Sequence, residues 1–149
     1  MNTEAIIKFL IFIKVMKKFL LMFLMLIGFS LSCYSQSVQV YRATSFACKS
    51  TDYYGNWSDW SDWQRSSVKI EFNLPNDVIV IHSPVVQAFG IYDTFTPPYD
   101  SGGRQVGFVA IDNEGIRCHI RLRIEHNGNS QIYIEYSNLL YVYNVVRIQ

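Results

Sequence analysis

Between Ile116 and Glu125 apolar and polar side chains alternate without a break. Ile116, Cys118, Ile120, Leu122 and Ile124 fall on one side, and Arg117, His119, Arg121, Arg123 and Glu125 on the other. A period of two sustained over this length marks a strand with one face in a core and the other in water. A helix would scatter the same apolar residues around its circumference. The alternation recurs in Val68, Ile70, Phe72 and Leu74, in Val85, Gln87, Phe89 and Ile91, and in Ile132, Ile134 and Tyr136. The chain beyond residue 36 is rich in Val, Ile, Tyr and Phe broken by turn residues, and none of it carries the spacing of an amphipathic helix.

Turn residues then suggest the pairing. A three-residue loop Asn113-Glu114-Gly115, with Gly115 left-handed, sets Ala110 against Cys118, Phe108 against Ile120 and Val106 against Leu122. A loop Asn127-Gly128-Asn129 would set Ile124 against Ile132, Leu122 against Ile134 and Ile120 against Tyr136, keeping the apolar sets on one side. If Ser137-Asn138-Leu139 is the next loop, Tyr143 lies beside Tyr133 and Tyr141 beside Glu135; a shift of one residue would turn those tyrosines inward. Residues 105–148 are thus expected to form a four-stranded meander. The fold class expected is all-β: a small antiparallel β-barrel or strongly bent sandwich of eight to nine strands, mainly up-and-down, because closure removes exposed edges. In strand number and length the chain resembles lipocalin-like calycin barrels, although it is short for a lipocalin and lacks a Gly-x-Trp signature near its first strand. An immunoglobulin-like sandwich is the alternative, without that fold's Cys, Trp, Cys order.

The amino-terminal stretch has a different character. Met16, Lys17 and Lys18 precede an apolar run from Phe19 to Phe29, and Cys33-Tyr34-Ser35 before Gln36 has the small-x-small form of a cleavage site. Residues 1–35 are therefore expected to be a signal peptide, with Met16 as the candidate true start, and 36–149 a single domain working outside the cytoplasm, secreted or periplasmic. The leader resembles export signals common in Bacteroidota. A membrane anchor over Ile6–Leu31 is the competing reading, but Lys14, Lys17 and Lys18 interrupt it, and a span needs about 20 mainly apolar residues. Lipidation at Cys33 is a further alternative; Ser32 precedes it, but Ser30 stands where a leucine would be expected.

Removing the leader takes Lys8, Lys14, Lys17 and Lys18 against Glu4 alone, so the formal charge of +1 falls by three. With only Lys49 and Lys69 left as lysines there is no basic stripe, which argues against nucleic acid as a partner. Cys48 and Cys118 survive processing, and an even pair in a small exported domain is read either as a disulfide or as two buried thiols. His82, His119 and His126 have no metal-ligand spacing with one another or with the cysteines, so neither a metal nor another cofactor is expected. No nucleophile elbow or carboxylate pair is evident either, which points away from an enzyme.

Two surfaces remain as candidates for binding. The segment from Tyr53 to Trp63 concentrates all three tryptophans, Trp57, Trp60 and Trp63, interleaved with Asp59 and Asp62. Exposed indoles beside carboxylates would stack on sugar rings and accept from their hydroxyls; buried, they would plug an end of the barrel. Trp57-Ser58-Asp59-Trp60-Ser61 resembles the WSxWS box of cytokine receptors, and the three-residue tryptophan spacing resembles thrombospondin type 1 repeats. The first likeness covers five residues at the wrong end of the domain, and the second lacks the six-cysteine framework, so neither assigns a family. The other surface is the outer face of the meander, where Arg121, Arg123, Tyr133 and Tyr143 would form a polar-aromatic patch suited to a glycan or a protein. The function expected is a non-catalytic binding module for a small apolar ligand, a glycan or a cell-envelope protein. A structural or envelope-associated protein is the alternative, and an enzyme of unknown type the third.

Overall fold

The computed structural model describes residues 12–13, 15–18, 38–98 and 102–149. The chain divides into two compact units, Met1–Ser35 and Gln36–Gln149. The described residues of the first are helical, and no helix among the described residues is long and apolar enough to cross a membrane. The apolar run from Phe19 to Phe29, Cys33 and the cleavage site after Ser35 lie outside the described residues, as do residues 99–101.

The second unit contains β1 (Gln39–Ser50), β2 (Gln64–Arg65), β3 (Lys69–Asn73), β4 (Val78–His82), β5 (Gln87–Phe95), β6 (Gly103–Ile111), β7 (Arg117–Glu125), β8 (Ser130–Glu135) and β9 (Leu139–Arg147). Every pairing is antiparallel, β3 to β9 follow one another in order, and β9 returns to β1 while β3 pairs with its other edge. Eight strands therefore close into an up-and-down barrel, with the two-residue β2 added beside β1. The barrel, not the bent sandwich, is the outcome of the alternation.

Apolar residues stack across the wall in rows that follow directly from the register. Tyr41 opposes Ile70 and Ile70 opposes Ile81; Phe72 opposes Ile79 and Ile79 opposes Phe89; Phe108 opposes Ile120 and Ile120 opposes Ile134. All are buried, and with Cys118, Leu122, Ile132, Tyr143 and Val145 they form one continuous core. An eight-stranded barrel is just wide enough for side chains to fill it, and here Tyr41, Phe72 and Phe89 supply the bulk.

The first hairpin has the register expected: Ala110 opposes Cys118, Phe108 opposes Ile120, Val106 opposes Leu122, and Gly115 is left-handed with φ 82°. The second is corrected by two residues. Leu122 opposes Ile132, Ile120 opposes Ile134 and Ile124 opposes Ser130. Glu125 N–H donates to Asn129 O and Gly128 N–H to Glu125 O, so the loop is His126-Asn127-Gly128. Gly128, with φ 86°, takes the last loop position as Gly115 does, because glycine alone reaches that conformation without a Cβ penalty. The third loop is also corrected. Tyr136 N–H donates to Leu139 O, leaving only Ser137-Asn138 between the strands; Tyr143 therefore opposes Ile132 and Tyr141 opposes Ile134. That one-residue shift turns Tyr143 into the core, off the outer face where it was expected.

The disulfide expectation is corrected as well: Cys48 and Cys118 are free thiols. Cys48 lies on β1 and Cys118 on β7, with β9 and β8 between them along the wall. Three strand steps of about 4.8 Å place them nearly across the barrel, whereas a disulfide needs Cα atoms within about 7 Å.

Candidate functional site

The tryptophan segment runs antiparallel to the far half of β1 on the edge that β3 leaves free, in an unusual ladder. Ser58 N–H donates to Ser50 O at 2.8 Å, and Ser50 N–H donates back to Ser58 Oγ at 3.2 Å. Three residues on, Ser61 N–H donates to Cys48 O at 2.8 Å, and Cys48 N–H donates to Ser61 Oγ at 3.0 Å. Another three residues on, Gln64 opposes Phe46. Each step thus spends three residues of the segment on two of β1. The serine side chain makes this possible, because its Oγ accepts the bond that a strand carbonyl would normally take. The hydroxyls in turn donate to the carbonyls of Asp59 and Asp62, at 2.9 and 3.2 Å, so both hydroxyls donate as well as accept.

A period of three sends successive tryptophans the same way, which a strand's period of two cannot do. Lys49 Nζ sits 5.2 Å from the Trp57 ring centroid and 5.0 Å from that of Trp60, a double cation–π contact on the outer side of β1. Trp57, Trp60 and Trp63 remain 45%, 44% and 52% exposed, so they do not plug the barrel. Asp59 and Asp62 are exposed beside them. The signal for this arrangement was present as serine following tryptophan twice at a spacing of three, whereas Lys49 carried no sequence signal.

The outer patch of the meander is differently composed from its expected form. Arg121 opposes Tyr133 and Arg123 opposes Gln131, in place of the Glu135 and Tyr133 that an Asn127-Gly128-Asn129 loop would set against them. Arg121 Cζ lies 4.5 Å from the Tyr133 centroid, its Nε donates to Glu135 at 2.6 Å, and Nη1 donates to Gln105 at 3.0 Å. Tyr133 OH donates to Gln131, Gln131 to Asn144, and Asn144 to Ser45, carrying one hydrogen-bonded chain from β8 across β9 to β1. Arg123 faces Glu125 at 3.9 Å. Arg121, Arg123 and Tyr133 are partly covered on this wall, while Tyr143 is inside, where burial raises its phenol pKa. The indole segment and this network occupy the same outer wall, with β9 between β1 and β8.

At the end where β1 begins, the barrel offers an apolar ligand an opening. Phe72, Leu74, Phe108, Leu122 and Ile124 line an open cup of about 420 Å³, with Arg104 among its lining residues. Beyond it, the buried side chains of the strands pack into one core. Among the described residues no group of three His, Cys, Asp or Glu side chains is placed to hold a metal ion. No protein-family model, no curated protein and no solved structure matches the chain.

Proposed function

We propose that the protein is an exported, non-catalytic binding module that recognises a glycan or a protein partner through the indole rail of Trp57, Trp60 and Trp63. The observation that carries this reading is that all three indoles stay about half exposed while their backbone is pinned to β1 by paired bonds at Ser58 and Ser61. Large aromatic surface held rigid before contact binds with little ordering cost, which is how aromatic hot spots work. Asp59 and Asp62 offer acceptors for sugar hydroxyls or donors of a partner, and Arg121 and Tyr133 extend the surface along the same wall. Export is supported by the leader pattern of residues 16–35.

A glycan panel read by intrinsic tryptophan fluorescence tests this. Trp63→Ala, which removes the most exposed of the three indoles, is expected to weaken a positive ligand at least tenfold without unfolding the barrel. Unchanged binding in a folded Trp63→Ala protein would sink the proposal. One observation favours a second reading. Lys49 already occupies the space between Trp57 and Trp60, so the rail also works as a cap on the exposed edge of β1, the role it would have in a structural or envelope-associated protein. In that case Trp60→Ala lowers the melting temperature and alters no binding.

A further inference from the structure

At the end of the barrel opposite the Phe72 cup, the connections before β5, between β6 and β7, and between β8 and β9 enclose a cleft of about 390 Å³. Val85, Val86, Ile116 and Leu139 give it aliphatic walls, and Tyr136 and Tyr141 add two aromatic rings that pack partly against the core. Its charged lining is one-sided. Asp112 and Glu114 line it, and no lysine, arginine or histidine does among the described residues. Neighbouring cations are engaged elsewhere: Arg117, next to Ile116, lies over Tyr92, 5.8 Å from its centroid, and Lys49, paired with Leu140 across the β1–β9 seam, lies against the indoles.

The rim is fixed before any ligand arrives. Ala88 N–H donates to Asn113 Oδ1 at 2.6 Å, and Asn113 Nδ2 donates to Val86 O at 3.3 Å, stapling two connections together. Tyr136 OH donates to Asp112 Oδ2 at 2.9 Å and joins the third. Val85 is nevertheless 77% exposed, Val86 52% and Ile116 49%, so apolar surface is held open to solvent around a concave, acidic, aromatic cavity. A volume in this range suits a small organic group.

We propose that this cleft binds an alkylammonium group, carried by a free amine or by a lysine side chain of a partner. The aliphatic walls take the chain, while the negative ring faces and the two carboxylates attract the charge. An anionic ligand would meet only like charge. The site is separate from the indole rail, and its failure would leave that reading untouched.

The test is an amide NMR titration of the protein with n-hexylammonium chloride, hexan-1-ol and N-acetyl-lysine amide. Hexylammonium is expected to shift the amides of Gln87, Ile116 and Leu139 and to bind at least fivefold tighter than hexan-1-ol. Glu114→Gln, at an exposed turn position on the cleft lining, is expected to weaken hexylammonium roughly two- to fivefold and leave hexan-1-ol unchanged. Tighter binding of the lysine amide than of hexylammonium supports the proposal with a protein side chain as the source, and the reverse supports it with a free amine. Equal affinity for hexylammonium and hexan-1-ol, an unaltered affinity in Glu114→Gln, or shifts confined to residues outside the cleft would each overturn it.

Discussion

Asp112 shows how a single carboxylate organises one end of this barrel. Its Oδ1 accepts from the backbone N–H groups of Glu114 and Ile116, and its Oδ2 accepts from Tyr136 OH, so it closes the β6–β7 turn and ties it to the β8–β9 connection. Burial opposes its ionisation, but the hydrogen bonds from Ile116, Tyr136, Glu114 and Gly115 outweigh that and hold its pKa below the ordinary carboxylate range. A depressed folded pKa gives stability that is fully present above the unfolded value of about 3.9 and is lost as pH falls through the folded value. Acidification below about pH 4 is therefore expected to loosen the 112–116 turn before the barrel itself melts. Amide exchange at Glu114 and Ile116 measures this. Asp112→Asn should make exchange there fast already at neutral pH and flatten its acid dependence; an unchanged acid profile in Asp112→Asn would show that another group controls the turn.

At the scale of elements, the indole segment replaces ordinary strand pairing with a three-on-two ladder that depends on two hydroxyls. Removing Ser58 Oγ or Ser61 Oγ leaves the N–H of Ser50 or Cys48 without its acceptor, at a cost of about 1 kcal/mol each. Ser61→Ala is expected to cost more than Ser58→Ala, because Cys48 and Ser61 are the less exposed pair, and the double variant should free the indoles, seen as a drop in tryptophan fluorescence anisotropy. Equal midpoints in urea for Ser61→Ala and the parent would refute the clamp. The period-two strands were readable in the chain because burial on one side forces the alternation, and the Gly115 hairpin was readable to the residue. The Gly128 hairpin was misplaced by two residues because two registers keep the same apolar sides together, and apolar pattern alone cannot separate them. Only the left-handed demand on Gly128 separates them. The last hairpin was misread for a different reason: Tyr141 and Tyr143 suit either side of a wall, having an apolar ring and a polar tip. The period of the tryptophan segment was legible, but its pairing partner was not, since a hydroxyl standing in for a carbonyl leaves no mark in hydropathy.

Closure of the barrel governs the thiols at the scale of the whole molecule. β9 pairs with β1 from Tyr41 to Ser50, with a bulge between Ala43 and Ser45, and this seam fixes Cys48 on the wall nearly opposite Cys118. No local adjustment brings them together without opening the seam. Burial, with a smaller contribution from the charge of Asp112, pushes the Cys118 thiol up to about 11, so little of it is thiolate at neutral pH. The core position that makes Cys118 useful as a small apolar residue also makes it unreactive. In an oxidising compartment the barrel is therefore expected to stand on its packing alone. A native disulfide would contribute about 2–5 kcal/mol, which reductant would remove as a fall of many degrees in melting temperature. We expect reductant to leave the melting temperature within about 2 °C of its value without it, on the same scale. Site-resolved labelling with a thiol reagent should leave Cys118 unmodified in the folded protein and modify it fully in denaturant. A reductant-dependent loss of stability, or rapid native labelling of Cys118, would mean that the seam between β1 and β9 opens and that the thiols meet in a state other than this barrel.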